Sequence, residues 1–416
     1  MPDNNVSPFF GLPLELREEI YKTVLASTNQ GSEILKTCHE IRKEAQKFLY
    51  QKPLIFRSQE RLHTWIRQTP RELLAHVSEI TLHVQDVDLK PILSQPSTSS
   101  DFAPSSHLST SGLYRAEVNR ITVSLGSIPK LKALTIRALS VQSSFLYRGL
   151  LAQILDALST SCPYLLSLCL GGNFHHQELS FLSSLKQLES FSFDGFSASS
   201  PAETVKVLAN LHNLRNLSLA SEHALLTPTN GVHSGFTAKR QSFTGEVVRT
   251  IRQLASFSVT EQIPIMSPTL FFTSEILASL HNHSTLKSLS IHLLYTPDRA
   301  ILASLEDFLE KTSIDTLELD WPDLEPDTLE QYRLLTGSLK VLWVRAKNMA
   351  NAFETLWSIV ECREEGDLFQ LRKVILLRST TYFSDMQMEA PERKDSHTET
   401  TDLGTYNVSR NLCCIS

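Results

Sequence analysis

The chain has 416 residues, 41% of them hydrophobic and 20% charged, with a net charge of -6 at neutral pH. The apolar share suffices for a packed core, the acid excess removes any bulk electrostatic reason to bind nucleic acid or an anionic membrane, and no run of about 18 apolar residues is present to span a bilayer. Six cysteines, at 38, 162, 169, 362, 413 and 414, are sparse and irregular, and the polar start Met1–Ser7 lacks a basic-then-apolar signal pattern; both point to reduced thiols in the cytosol or nucleus.

In chain order, Leu12 and Pro13 open the first element, where a proline suits the first helical turn because its missing N–H is not needed there. Leu12, Leu16, Ile20, Val24 and Leu25 fall at helical spacing and predict an apolar stripe, with Glu15, Arg17, Glu18, Glu19 and Lys22 facing out. After Gly31 and Ser32, a second stripe runs through Ile34, Leu35, Cys38, Ile41, Ala45, Phe48 and Leu49. Leu54, Ile55 and Phe56 predict a short strand, and Leu62, Trp65 and Ile66 a further helix. Residues 57–90 form a connecting segment; within them Ile80, Leu82 and Val84 alternate as in a strand and offer a first rung. Residues 91–112 are rich in Ser and Pro and read as a disordered loop.

From 113 to 380 one pattern dominates. The hexad L-x-x-L-x-L, or a close apolar substitute, begins at Leu131, Leu165, Leu188, Leu214, Leu254, Leu286, Ile314, Leu339 and Leu371. The spacing is close to the period of about 20 to 29 residues of leucine-rich repeats, with insertions such as the polar stretch from Thr227 to Thr244. The last three hexad positions alternate apolar, polar, apolar, as a strand buried on one side must. Helical spacing occurs in between, as in Leu150, Leu151, Ile154, Leu155 and Leu158, or Phe353, Leu356, Trp357 and Val360. A lone strand and helix cannot bury such stripes, whereas stacked units can. The predicted class is therefore α/β: a leucine-rich-repeat solenoid with parallel strands on a concave face and helices on a convex face, preceded by an all-α helical unit. Residues 384–416 form a polar tail.

The N-terminal unit also carries a family resemblance. Leu12, Pro13, Glu15, Leu16, Arg17, Ile20 and Tyr21, and then Leu35, Thr37, Cys38, His39, Ile41, Glu44, Ala45, Leu49 and Tyr50, match in order the F-box-like motif common in fungal proteins. Residues 8–56 thus resemble an F-box-like unit, and with the repeats behind it the whole chain resembles an F-box and leucine-rich-repeat protein. The resemblance implies a substrate receptor of a cullin-RING ubiquitin ligase, with a Skp-type linker and a cullin as partners and no chemistry on this chain. The linker would meet Leu12, Pro13, Leu14, Leu16, Ile20, Leu35, Cys38 and Ile41. Two alternatives stay open: the helices cap the first rung, or the chain is a repeat scaffold without ligase partners.

A protein target, whose identity the sequence does not give, would lie on the polar hexad positions. These are small in the middle rungs, as at Ser190, Ser192, Asn216, Ser218, Ser256, Ser258, Ser288 and Ser290, and larger or charged toward the end, at His292, Glu318, Asp320, Trp343, Arg345 and Lys373. Trp343 with Arg345 is the expected anchor, because Trp and Arg dominate interface energetics; the other reading has Trp343 covered by Phe369 or the tail. No catalytic motif, cofactor site or metal site is expected. His175-His176 reads as a solvated loop pair, and the carboxylates at 320, 323, 325 and 327 as a turn and an acidic helix start. The terminal Cys413-Cys414-Ile415-Ser416 satisfies the prenylation pattern at Cys413, which would give membrane contact only if modified.

Overall fold

In the computed structural model, residues 8–26, 31–89, 110–139, 144–221, 242–261, 271–346, 349–364, 366 and 368–378 are described. Most of the Ser/Pro-rich stretch, the C-terminal tail and Cys413 lie outside them.

The strands are β1 (Leu54–Phe56), β2 (Glu79–His83), β3 (Ala133–Arg137), β4 (Ser167–Gly171), β5 (Ser190–Asp194), β6 (Asn216–Ser221), β7 (Ser256–Glu261), β8 (Ser288–Leu293), β9 (Thr316–Asp320), β10 (Val341–Ala346) and β11 (Lys373–Arg378). Their order in the sheet is their order in the chain. The pairings are parallel, with Leu134 beside Leu168 and Leu289 beside Leu317, for example. Each hexad contributes its first, fourth and sixth apolar residues to the core. Leu286, Leu289 and Ile291 are typical, all essentially inaccessible, and Leu376 in β11 is the half-buried exception. The expected α/β leucine-rich-repeat class is the fold observed.

The helices are α1 (Leu14–Ala26), α2 (His39–Tyr50), α3 (Gln59–Gln68), α4 (Arg71–Leu74), α5 (Thr110–Gly126), α6 (Phe145–Ser161), α7 (Pro201–Ala209), α8 (Gly245–Arg249), α9 (Ser274–Leu280), α10 (Arg299–Lys311), α11 (Pro326–Gln331) and α12 (Met349–Glu364). Many start on a side-chain cap that satisfies an otherwise orphaned N–H: Ser144 before α6, Thr273 before α9, Asp298 before α10, and a full capping box of Ser200 with Glu203 at α7. The chain divides into two compact units, residues 1–192 and 193–416.

Three local expectations change. Thr110, Ser111 and Gly112, read as the end of a disordered loop, open α5, whose Tyr114, Val118, Ile121 and Leu125 are buried at helical spacing. The sheet begins at β1, one strand before Ile80, because Leu54 and Phe56 pair in parallel with Ile80 and Leu82. In α12 the buried side is Ala352, Thr355, Ser358 and Ile359, while Phe353 and Trp357 are 67% and 58% exposed. Small residues let that helix seat closely, and Ser358 donates to Glu330 from the buried side, so the larger aromatics are turned out. They stack on each other at 6.3 Å.

Replacing Leu289 by alanine opens a cavity under the strand and is expected to cost about 2–5 kcal/mol. Trp357→Ala removes a mostly exposed ring together with its stacking on Phe353 and its surface bond to Glu361, and should cost about 1 kcal/mol or less. Urea unfolding of both variants checks this contrast.

Candidate interaction surfaces

The first surface is built by α1 and α2. Tyr21, Leu25, Ala45 and Phe48 form a small core, with Phe9, Ile34, Leu35, Ile41 and Leu49 packed around it. Its polar counterpart is Glu44. Arg17 donates to both carboxylate oxygens, Nε to Oε2 at 3.0 Å and Nη2 to Oε1 at 2.7 Å, and the Tyr21 hydroxyl donates to Oε2 at 2.8 Å. The two-pronged fit of guanidinium to carboxylate gives direction as well as attraction. Burial works against ionised Glu44, yet the bonds from Arg17 and Tyr21 hold its carboxyl below the ordinary range. Burial, with Glu44 beside it, pushes Tyr21 up to about 12. Arg17 also donates to the carbonyls of Phe10 and Leu12, tying down the chain ahead of α1.

This network sets the rotation of α1 and corrects the expected stripe. Arg17 points inward to Glu44 instead of out to solvent, Tyr21 and Leu25 face the core, and Leu16, Ile20 and Val24 face outward, Leu16 being 53% exposed. Of the eight residues assigned to a linker, Pro13, Leu14, Leu16 and Ile20 are exposed and Leu12 is half-buried. Leu35 and Ile41 are half-buried against the unit's own core. Cys38 is exposed but caps α2, its Sγ accepting from the Ile41 N–H. The outward apolar surface is therefore Leu14, Leu16, Ile20 and Val24.

The second surface lies on the polar side of β8 to β11. Parallel register places Ser290 beside Glu318 and His292 beside Asp320. His292 Nδ1 lies 3.1 Å from Asp320 Oδ2, and its Nε2 lies 3.4 Å from Glu318 Oε2 and 2.8 Å from Ser290 Oγ. Ser290 donates to Glu318 at 2.8 Å, and Arg345 Nε donates to Asp320 Oδ1. Burial opposes a charged imidazole here, but hydrogen bonds to Asp320 and Glu318 outweigh it and raise His292 to about 9. Glu318 is lowered first by its bond to His292; Asp320 is lowered by His292 and Arg345 although burial works the other way. Trp343 is half-buried, with the Lys373 ammonium 5.9 Å from its ring centroid. Phe369 is 71% exposed, and the tail, the other cover considered for Trp343, lies outside the described residues.

All six target-side candidates thus fall on this strip, where they form two groups: His292, Glu318, Asp320 and Arg345 pair with one another, and Trp343 packs with Lys373. Sequence reading gave Ser290 only as a small polar position, although its spacing from Glu318 is one repeat. The His175-His176 reading needs correction: His175 is buried, not solvated. Among the described residues no group of His, Cys, Asp and Glu is arranged to hold a metal, and no helix is long and apolar enough to cross a membrane.

No protein-family model matches the chain, and no curated protein matches it. Among solved structures, it is similar to a protein in a crystal structure of a TLR13–ssRNA13 complex, at 13% identity and a TM-score of 0.34. The similarity covers 81% of this chain and 41% of that one, so this chain spans less than half of that chain's length.

The charged strip has a defined pH signature. His292 is raised from its ordinary 6.5 to about 9, so its contribution to stability is complete below pH 6.5 and is lost as pH rises through 9. Glu318 and Asp320 are lowered from 4.5 and 3.8, so theirs is complete above pH 4.5 and is lost as pH falls through the lowered values. Melting temperature should therefore fall between pH 6.5 and 9, and His292→Ala should flatten that alkaline limb. An unchanged alkaline slope in the variant would contradict this assignment.

Proposed function

We propose that the chain is a non-catalytic substrate-recognition subunit of an SCF-type cullin-RING ubiquitin ligase. In this reading α1 docks on a Skp-type linker and the polar side of the strands holds a protein target. The observation that carries it is the outward row Leu16, Ile20 and Val24, at i, i+4 spacing on a helix whose rotation Arg17, Tyr21 and Glu44 determine. Apolar side chains at this spacing suit insertion into a helical groove. The F-box-like pattern, which contains Arg17, Tyr21 and Glu44 as well as Leu16 and Ile20, supports the same reading from the sequence side.

The two surfaces divide the labour. A receptor accelerates transfer by holding a target lysine near the charged ligase at high effective concentration; the chain needs no acid, base or nucleophile of its own. Trp343 and Lys373 are the proposed target contacts, and the His292–Asp320–Arg345 row shapes the floor beside them. Prenylation of Cys413 would add a membrane tether to the receptor without altering either surface.

Changing Leu16 and Ile20 together to aspartate places charge on exposed positions and is expected to leave the melting temperature within a few degrees. Co-purification of linker and cullin should be lost in the same variant. Wild-type protein that recovers no linker, under conditions that retain other F-box proteins, would favour a repeat scaffold without ligase partners.

A further inference from the structure

The polar side of β1 to β3 carries a second row of charge, and here the signs do not cancel. Arg57 comes directly after Phe56, which pairs with Leu82, so Arg57 stands beside His83; His83 in turn pairs with Arg137. Neighbouring strands are about 5 Å apart, so the three basic residues span roughly 10 Å across the sheet. Arg57 and Arg137 are exposed and His83 is half-buried. Among the described residues, no carboxylate lies within ion-pair distance of any of the three. The nearby Asp86 is engaged with the Tyr114 and Ser144 hydroxyls and its own loop. Glu79, on the same side of β2, is four residues from His83, about 13 Å along the strand.

Two further observations describe the space. Next to Arg137 in register stands Gly171, where a Cβ would meet only the Arg137 side chain, at 3.9 Å, so the stem of Arg137 lies beside a position without a side chain. On the other flank Ile55 is 67% exposed beside Thr81. The His83 imidazole is held below its ordinary range first by burial and then by the neighbouring charges of Arg137 and Arg57. At the matching edge of β8 to β10, the corresponding row places Asp320 between His292 and Arg345.

We propose that Arg57, His83 and Arg137 form a docking row for an acidic peptide segment of a partner protein, its carboxylates taking the place that Asp320 fills in the other row. An extended peptide crossing the strands would set successive carboxylates against the two guanidinium forks, and each bond would be charge-assisted. The inference rests on reading the polar side of the strands as the partner-binding side, but it requires neither a linker nor a ligase.

The test uses the full chain and a fluorescein-labelled hexaglutamate peptide, read by anisotropy at low and physiological salt. Saturable binding should weaken roughly fivefold or more in Arg57→Ala/Arg137→Ala, and by less than about twofold in Arg67→Ala/Arg115→Ala, which removes the same charge elsewhere. NMR titration should show the His83 midpoint moving up when the peptide is present, because an anion offsets the two arginines. Absence of saturable binding, equal loss in the control variant, or a stationary His83 midpoint would each overturn the proposal. So would inorganic phosphate at the same concentration moving His83 as far as the peptide does, which would make the row a small-anion site. None of these outcomes bears on linker co-purification, so failure here is distinguishable from failure of the ligase reading.

Discussion

In the repeats, one main-chain carbonyl per rung accepts two successive N–H groups from the next rung, and the rest of the fold depends on that contact. In residues 1–192 the carbonyls of Ser78, Lys132 and Leu166 play this part; in residues 193–416 those of Arg215, Ala255, Lys287, Asp315 and Lys340 do so, at 2.7–3.2 Å. Apart from Ser78, each sits at the second position of a hexad, and the donors are the second and third positions of the next strand segment. A carbonyl oxygen has two lone pairs, so both donors are satisfied at the rung boundary, the second of them being the N–H of the strand's first residue. This fixes register, and register decides which side chains enter the core, since a slip of one residue would exchange the buried and polar sides.

The proposed surfaces have two structural causes, register on the strands and helix rotation at α1. On the strands, the locked register brings His292, Asp320 and Arg345 into one row although about 25 residues or more separate neighbours in the chain. The same register gathers Arg57, His83 and Arg137 into another. At α1 no ladder exists, and a buried polar cluster does the equivalent work. Glu44 on α2 holds Arg17 and Tyr21, and by doing so turns Leu16, Ile20 and Val24 away from the core. Removing one partner from such a cluster leaves a half-buried charge with no replacement.

Legibility in the sequence divides along the same line. The hexad leucines are legible because each rung repeats the same burial, and the strands alternate from Leu134 to Val344 except at Asp194 and Asp320, which are buried on the polar side. The rotation of α1 is not, because Leu16 and Tyr21 are both plausible core residues and only Glu44, 27 positions from Arg17, distinguishes them. In α12 the buried side is made of Ala352, Thr355 and Ser358, residues that a hydrophobic count passes over in favour of Phe353 and Trp357. The six target-side positions were found from strand alternation alone, but their mutual pairing needed the register of β8 to β10. His83 and its two arginines carry no local motif at all. They become a group only when three strands are laid side by side.

The rung-to-rung carbonyl contact is open to direct measurement by amide hydrogen exchange on the intact chain. The N–H groups of Lys287, Ser288, Asp315, Thr316, Lys340 and Val341 each donate to a carbonyl of the preceding rung, and they should be among the slowest to exchange, opening only with the unit that contains them. Exchange at these six amides as fast as in an unstructured peptide of the same sequence would contradict the parallel stacking of β7 to β10 on which the His292–Asp320–Arg345 strip depends.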